Sequence, residues 1–215
     1  MKVSLVIITD GRNDYLRRML ASLRENVAQD WHRVVVVSDE PEAPLPTDDM
    51  PEPLTVIQHP RRMGGDAAVA TAWRHVTRGP APDFVFHMED DWLFNGPVDL
   101  DHMATVLTEN RGLAQLVLRR RSMEEESTWT PPGGWDGRWE PHLDYVAHRR
   151  NWSLNPCLYP VQIPRSFTYA GHETDFTPRL LDDGWRFAFY GAWDDPPHVT
   201  HIGEVRSRGA RWGRA

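Results

Sequence analysis

The chain has 215 residues, 40% hydrophobic and 26% charged, with 10 Trp, 5 Tyr and 7 Phe, a composition that excludes disorder and supplies enough apolar mass for a packed core. Its formal net charge of -7 excludes a general nucleic-acid-coating role, which needs surplus Lys and Arg on the binding face. Cys157 is the only cysteine, so an internal disulfide and a multi-cysteine zinc site are excluded as well.

The first element is the apolar run Val3 to Thr9. It is far shorter than a membrane-spanning helix of roughly 20 residues, and it meets the turn Asp10-Gly11-Arg12 at once. It predicts a strand covered on both faces, with no signal peptide and a cytoplasmic location. A helix follows, opened by Asn13 as N-cap and carrying Leu16, Met19, Leu20, Leu23 and Val27 on one stripe. Arg33 to Ser38 completes a strand-helix-strand unit, which favours parallel pairing through a right-handed crossover.

Pro41 to Pro53 predicts an irregular surface connection. Leu54 to Gln58 reads as a third strand and Asp66 to Thr77 as a helix. Asp83 to Met88 reads as a fourth strand running straight into Glu89-Asp90-Asp91. This alternation predicts an α/β fold in which ligands gather at the carboxyl ends of the strands. Beyond about residue 112 the pattern loosens. Leu113 to Leu118 predicts a strand, the Trp-, Pro- and Gly-rich stretch from Trp129 to Trp139 predicts loop, and a helix from Glu173 to Asp183 closes at Gly184 before a strand from Trp185 to Tyr190. One domain is expected over residues 1–215.

Three adjacent carboxylates at a strand exit raise one another's pKa unless a cation or hydrogen-bond donors compensate. A divalent Mn or Mg ion shared with substrate phosphates is the simplest compensation, and a solvated acidic turn is the competing reading. Asp39, at the exit of the second strand, is placed to accept hydrogen bonds from a base or sugar hydroxyl, whereas Asp10 fits a turn or helix cap equally well. Trp129, Trp135, Trp139 and Trp152 offer faces for stacking on sugar rings or for packing. The basic tail Arg206, Arg208, Arg211 and Arg214 either frays or closes over a diphosphate.

The strand and acidic run Phe84-Val85-Phe86-His87-Met88-Glu89-Asp90-Asp91-Trp92 resembles the DxD-like signature of GT-A glycosyltransferases, especially family 2. Val3 to Arg12 with the helix after it is similar to that family's first strand and helix. Arg61-Arg62-Met63-Gly64-Gly65-Asp66 resembles its segment between third strand and helix, with Arg62 where Asn is common. Gly171 to Gly184 resembles its late helix.

The resemblance implies a Rossmann-like, mostly parallel sheet flanked by helices, with a nucleotide-sugar-binding half over 1–112 and a loop-rich acceptor-binding and catalytic half over 113–215. It implies a nucleotide-sugar-dependent, metal-requiring hexosyltransferase acting on a hydroxyl acceptor (protein, glycan, lipid, small molecule or modified nucleic acid), with inversion. Thr9, Asp10, Arg12, Asp39, Arg62, Gly64, Gly65, Asp66 and Asp90 would then contact the nucleotide sugar. Asp91 would hold the metal with His201, His198 being the competitor, and Glu173 would be the general base with Asp175 in reserve. Two other classes fit parts of the sequence: a metal-dependent nucleotidyltransferase or phosphohydrolase, and a non-catalytic glycan-binding module using the Trp cluster.

Overall fold

A computed structural model of the chain describes residues 1–128 and 138–203. Along the chain run β1 (Val3–Thr9), α1 (Asn13–Asn26), β2 (Arg33–Ser38), β3 (Leu54–Gln58), α2 (Gly65–Val76), β4 (Phe84–Glu89), β5 (Trp92–Phe94), α3 (Leu100–Glu109), β6 (Leu113–Val117) and α4 (Met123–Thr128). Then come β7 (Trp139–Pro141), β8 (Tyr145–His148), β9 (Cys157–Pro160), α5 (Gln162–Ser166), α6 (Glu173–Asp182), β10 (Arg186–Tyr190) and β11 (Val199–His201).

Nine strands form one sheet in the order β3-β2-β1-β4-β9-β6-β10-β8-β7. The four strands β3, β2, β1 and β4 are mutually parallel, whereas β9 runs antiparallel between β4 and β6. β5 and β11 pair separately as a small antiparallel sheet. The chain builds outward from β1 through β2 to β3, then crosses back to place β4 on the other side of β1. That reversal creates a crevice beyond the carboxyl ends of β1 and β4, the usual place for a ligand in an open α/β sheet.

Strand periodicity explains why these runs are apolar throughout. In β1, Val3, Leu5 and Ile7 face one core layer, while Val6 and Ile8 face the other. The first layer is filled by Leu16, Met19, Leu20 and Leu23 of α1 and by Leu100, Met103 and Leu107 of α3. The second is filled by Ala68, Val69, Ala72, Trp73 and Val76 of α2 with Phe176 and Leu180 of α6. With helices on both faces, a strand has no polar side to show.

Two details differ from the expected elements. Arg12, not Asn13, occupies the cap position of α1, and no side chain caps the helix there. Asn13 is already helical and sends Nδ2 to the Pro44 carbonyl at 2.7 Å, tying α1 to the proline-rich connection. The segment from residue 94 to 110 also holds α3, capped by Asp99, whose carboxylate accepts from His102 N at 2.9 Å. Among the described residues, no helix is long and apolar enough to cross a membrane.

The aromatic residues behind α2 and α6 form the densest part of the second layer. Trp152 is fully buried, 6.0 Å from Trp73 and 5.4 Å from Phe176 between ring centroids, both edge-on. Trp152 therefore packs and has no face for a sugar, and Trp139 is stacked on Phe189 at 5.9 Å. Trp129 and Trp135 lie outside the described residues. Trp152→Ala is expected to destabilise the fold by about 3–5 kcal/mol, the usual range for truncating a buried Trp, read as a lowered urea midpoint.

Candidate active site

At the crevice, a single guanidinium gathers three carboxylates. Arg12 Nε donates to Asp10 Oδ1 at 2.6 Å, and Arg12 NH2 donates to Asp90 Oδ1 at 2.6 Å and Asp91 Oδ2 at 2.9 Å. Thr9 Oγ1 donates to the other oxygen of Asp90 at 2.6 Å, so the exits of β1 and β4 are joined by side chains as well as by the sheet. Burial pushes Asp90 up to about 7, against the opposing pull of Arg12 and Thr9. Burial alone would lower the Arg12 pKa, but Asp90, Asp91 and Asp10 hold it above its ordinary value. Gly11 has φ +89, and a Cβ there would lie 2.5 Å from the Glu40 Cβ, so only glycine makes this turn.

Asp91 is shaped by the end of the described chain. Because β11 pairs with β5 and sets His201 opposite Trp92, His201 Nε2 comes within 3.2 Å of Asp91 Oδ2. The Ile202 amide donates to the Asp91 carbonyl at 2.8 Å. A Cβ on Gly203 would sit 2.1 Å from Asp91 Oδ2, so the backbone passes the carboxylate where only glycine fits. Asp91 Oδ1 is buried without a hydrogen-bond partner among the described residues. His198 lies elsewhere, against Tyr190 and close to Gly191, and burial lowers it to about 4.

Among the described residues, no three His, Cys, Asp or Glu side chains converge as a ready-made metal cage. Asp91 and His201 nevertheless fit a Mn or Mg ion. Asp91 leaves Oδ1 unpartnered while its Oδ2 lies beside His201 Nε2, a mixed carboxylate and imidazole half-site, and ions of this kind usually take their remaining ligands from substrate phosphates and water.

Asp39 is more occupied than the sequence suggests. Its Oδ1 accepts from Met63 N at 2.7 Å and lies 2.9 Å from His59 Nδ1, while Oδ2 accepts from Gly64 N at 2.8 Å. The carboxylate thus fixes the loop leading into α2, which leaves it little acceptor capacity for a nucleotide. His59 is held in turn by Thr71 Oγ1 at 3.1 Å, and sequence reasoning overlooked it. Arg62 pairs with Glu40, Gly64 takes φ +90, and Gly65 and Asp66 open α2. Burial raises Asp66, and His172 and Asp175 of the α6 entry act on it electrostatically, which brings the two helix starts together.

The start of α6 separates the two candidate bases. Asp175 reaches back to accept from His172 N at 3.1 Å, completing a capping box, so its carboxylate is committed to the helix. Glu173 instead accepts from the Leu154 amide and lines a cavity of about 150 Å³. Burial is the main cause of its raised pKa, with Asp66 adding to it and Arg120 opposing. Burial, then Asp91 and Glu173, push the Glu89 carboxyl well up, so it lies electrostatically between the Asp pair and Glu173. The tail arginines Arg206, Arg208, Arg211 and Arg214 lie outside the described residues.

The family model for Glycosyl transferase family 2 matches residues 4–164. Among solved structures the chain is similar to the mannosyltransferase PcManGT from Pyrobaculum calidifontis in complex with GDP-Man and Mn2+, at 17% identity and a TM-score of 0.59, covering 97% of this chain and 58% of that one. It is similar to GalNAc-T7 with UDP, GalNAc and Mn2+ at 10% identity and a TM-score of 0.62, covering 96% and 44%. S. aureus TarS aligns at 16% identity with a TM-score of 0.58, covering 94% and 37%. The chain therefore spans 58% or less of these proteins' lengths, and likeness at such identities establishes the fold, a GT-A α/β sheet. Among curated proteins, no match is found by sequence.

Gly203→Ala is expected to push the Asp91 carboxylate aside, at about 1–3 kcal/mol for the overpacking. Titration with Mn2+ should then produce a weaker stabilisation than in the parent protein, read by thermal melting with and without the ion.

Proposed function

The chain belongs to glycosyl transferase family 2, and from that premise we propose that it moves a hexosyl group from a nucleotide-diphosphate sugar to a hydroxyl of an acceptor, with inversion and with a divalent metal. The observation that carries this reading is a pair of acids in different surroundings, both of which act electrostatically on the Glu89 carboxyl. On one side is Asp91, orphaned on Oδ1 and facing His201; on the other is Glu173, half-buried, lining a cavity and free of the capping role that Asp175 takes. The similar structures that hold a nucleotide sugar or nucleotide together with Mn2+ are consistent with it.

In this reading the half before residue 113 receives the donor. Thr9, Arg12 and Asp90 set the floor of the site, and the Gly64-Gly65 turn lets the nucleotide approach the backbone at the start of α2. Asp10 and Asp66 line its edges, and Asp39 acts by holding the Met63-Gly64 loop. Asp91 and His201 would hold Mn or Mg, which when bound supplies positive charge against the diphosphate.

The half after it receives the acceptor. Its hydroxyl oxygen forms a bond to the anomeric carbon from the face opposite the diphosphate. The bond from that carbon to the diphosphate oxygen breaks, and its electron pair leaves on the nucleoside diphosphate. The hydroxyl proton passes to Glu173. A carboxylate raised by burial is a stronger base than an exposed one, and the Leu154 amide keeps it oriented.

Glu173→Gln should retain donor binding, seen as thermal stabilisation by donor with Mn2+, and lose transfer by a factor of about 10²–10⁴. Full turnover in that variant would remove Glu173 from the mechanism. Because burial raises the Glu173 pKa, the carboxyl stays protonated at pH values where an exposed Glu has ionised. The acid limb of kcat/KM should therefore climb with pH and have its midpoint above the ordinary Glu range. Asp91→Ala should abolish the Mn2+-dependent part of donor stabilisation, and chelation should reproduce that loss in the parent protein.

A further inference from the structure

The cavity beside Glu173 holds more hydrogen-bond donors than the protein satisfies. Arg120 and Arg121 follow β6 and line it, and neither makes an ion pair or side-chain hydrogen bond within the described residues. His148 also lines it. The residue is 3% exposed, its Nδ1 accepts from Arg150 N at 3.2 Å, and the proton therefore sits on Nε2, which has no acceptor among the described residues. Burial and Arg150 keep this imidazole neutral, with its pKa lowered to about 3.

Two carboxyls share the wall. Glu126 is buried and lies in the field of Arg121, Arg120 and Arg150, and Glu173 lies in the field of Arg120. Burial raises both carboxyls towards the neutral form, and neither comes within ion-pair distance of Arg120 or Arg121. Arg120 is exposed and Arg121 half-exposed, so their guanidinium forks face water and are open to an anion from solution. The cavity, of about 150 Å³, is open to solvent on one side. A small charged group can therefore enter it from solution while the rest of the molecule that carries it stays outside.

We propose that this cavity binds an oxyanion carried by the acceptor, read by the forks of Arg120 and Arg121, so that the acceptor is an anionic molecule whose attacking hydroxyl lies beside Glu173. The inference rests on the glycosyltransferase reading for the identity of the ligand as acceptor. Arginine is the residue suited to it, because its planar donor pair matches the two oxygens of a carboxylate or phosphate. His148 contributes a neutral donor that stays in place whether or not the anion is bound.

Binding of glucose, glucuronate and glucose 6-phosphate to the full chain, alone and with nucleoside diphosphate and Mn2+, tests this by calorimetry. The expected result is at least tenfold tighter binding of one or both anionic sugars than of glucose. Which of them gains distinguishes a carboxylate from a phosphate site. The Arg120→Gln/Arg121→Gln double variant should erase that difference, and Arg120→Lys/Arg121→Lys should restore part of it, since charge returns without the fork. Equal binding of glucose, absence of anion binding, or anion binding that survives the double glutamine variant each overturns the inference. Thermal stabilisation by donor and Mn2+ is read on the same variants. Loss of that stabilisation in the double variant would assign the arginines to the donor and overturn this inference alone, whereas its absence in the parent protein counts against the glycosyltransferase reading.

Discussion

Three carboxylates held around one guanidinium is the constraint on which the crevice depends. Two like charges about 4 Å apart repel by about 4 kcal/mol at an effective dielectric of 20, and Asp10, Asp90 and Asp91 are brought together at the junction of β1 and β4. Arg12 offsets that repulsion from the adjacent turn, with donor distances of 2.6 to 2.9 Å. Its position results from local geometry. Gly11 turns the chain with a positive φ, Arg12 takes the cap position of α1, and the guanidinium reaches the neighbouring strand exit. The helix gives up a side-chain cap at that position, and the site gains its cation.

The aromatic layer behind the sheet gives α2 and α6 a common foundation. Trp73 of α2 touches Trp152, Tyr159, Tyr169 and Phe176, and its indole donates to the Tyr159 hydroxyl at 2.9 Å. Contacts of this kind add about 0.5–1.5 kcal/mol each beyond area burial. Phe176 belongs to α6, so the helix that carries Glu173 and the helix entered through Gly64 rest on one block of rings. Trp152 N donates to Thr177 Oγ1, and Thr177 donates to the Glu173 carbonyl, which extends that block to the backbone of Glu173.

Much of the first half was legible because both-face burial writes itself as unbroken apolar runs. β1, β2 and β3 fall on the expected residues, and β4 is displaced by one. The later strands are harder to read. β5, β7 and β11 are three residues long, too short to carry a period, and β5 and β11 are paired with each other across most of the chain. α3 did carry a signal, with Leu100, Met103, Ala104 and Leu107 on one face behind the Asp99 cap. Glu173 was legible by motif, but its separation from Asp175 needed the capping box. The requirement for glycine at 203 has no sequence signal at all. It arises only where a distant backbone passes Asp91, and the same holds for the loop-fixing hydrogen bonds of Asp39.

Both extremes of the described chain close around Asp91: Arg12 from the first turn, His201 and Gly203 from the last strand and its exit. Arg12 reaches it through the pairing of β1 with β4, and His201 through the pairing of β11 with β5. Both pairings must be in place before the carboxylate has its full set of neighbours, so a slip of register in either sheet would be felt at Asp91.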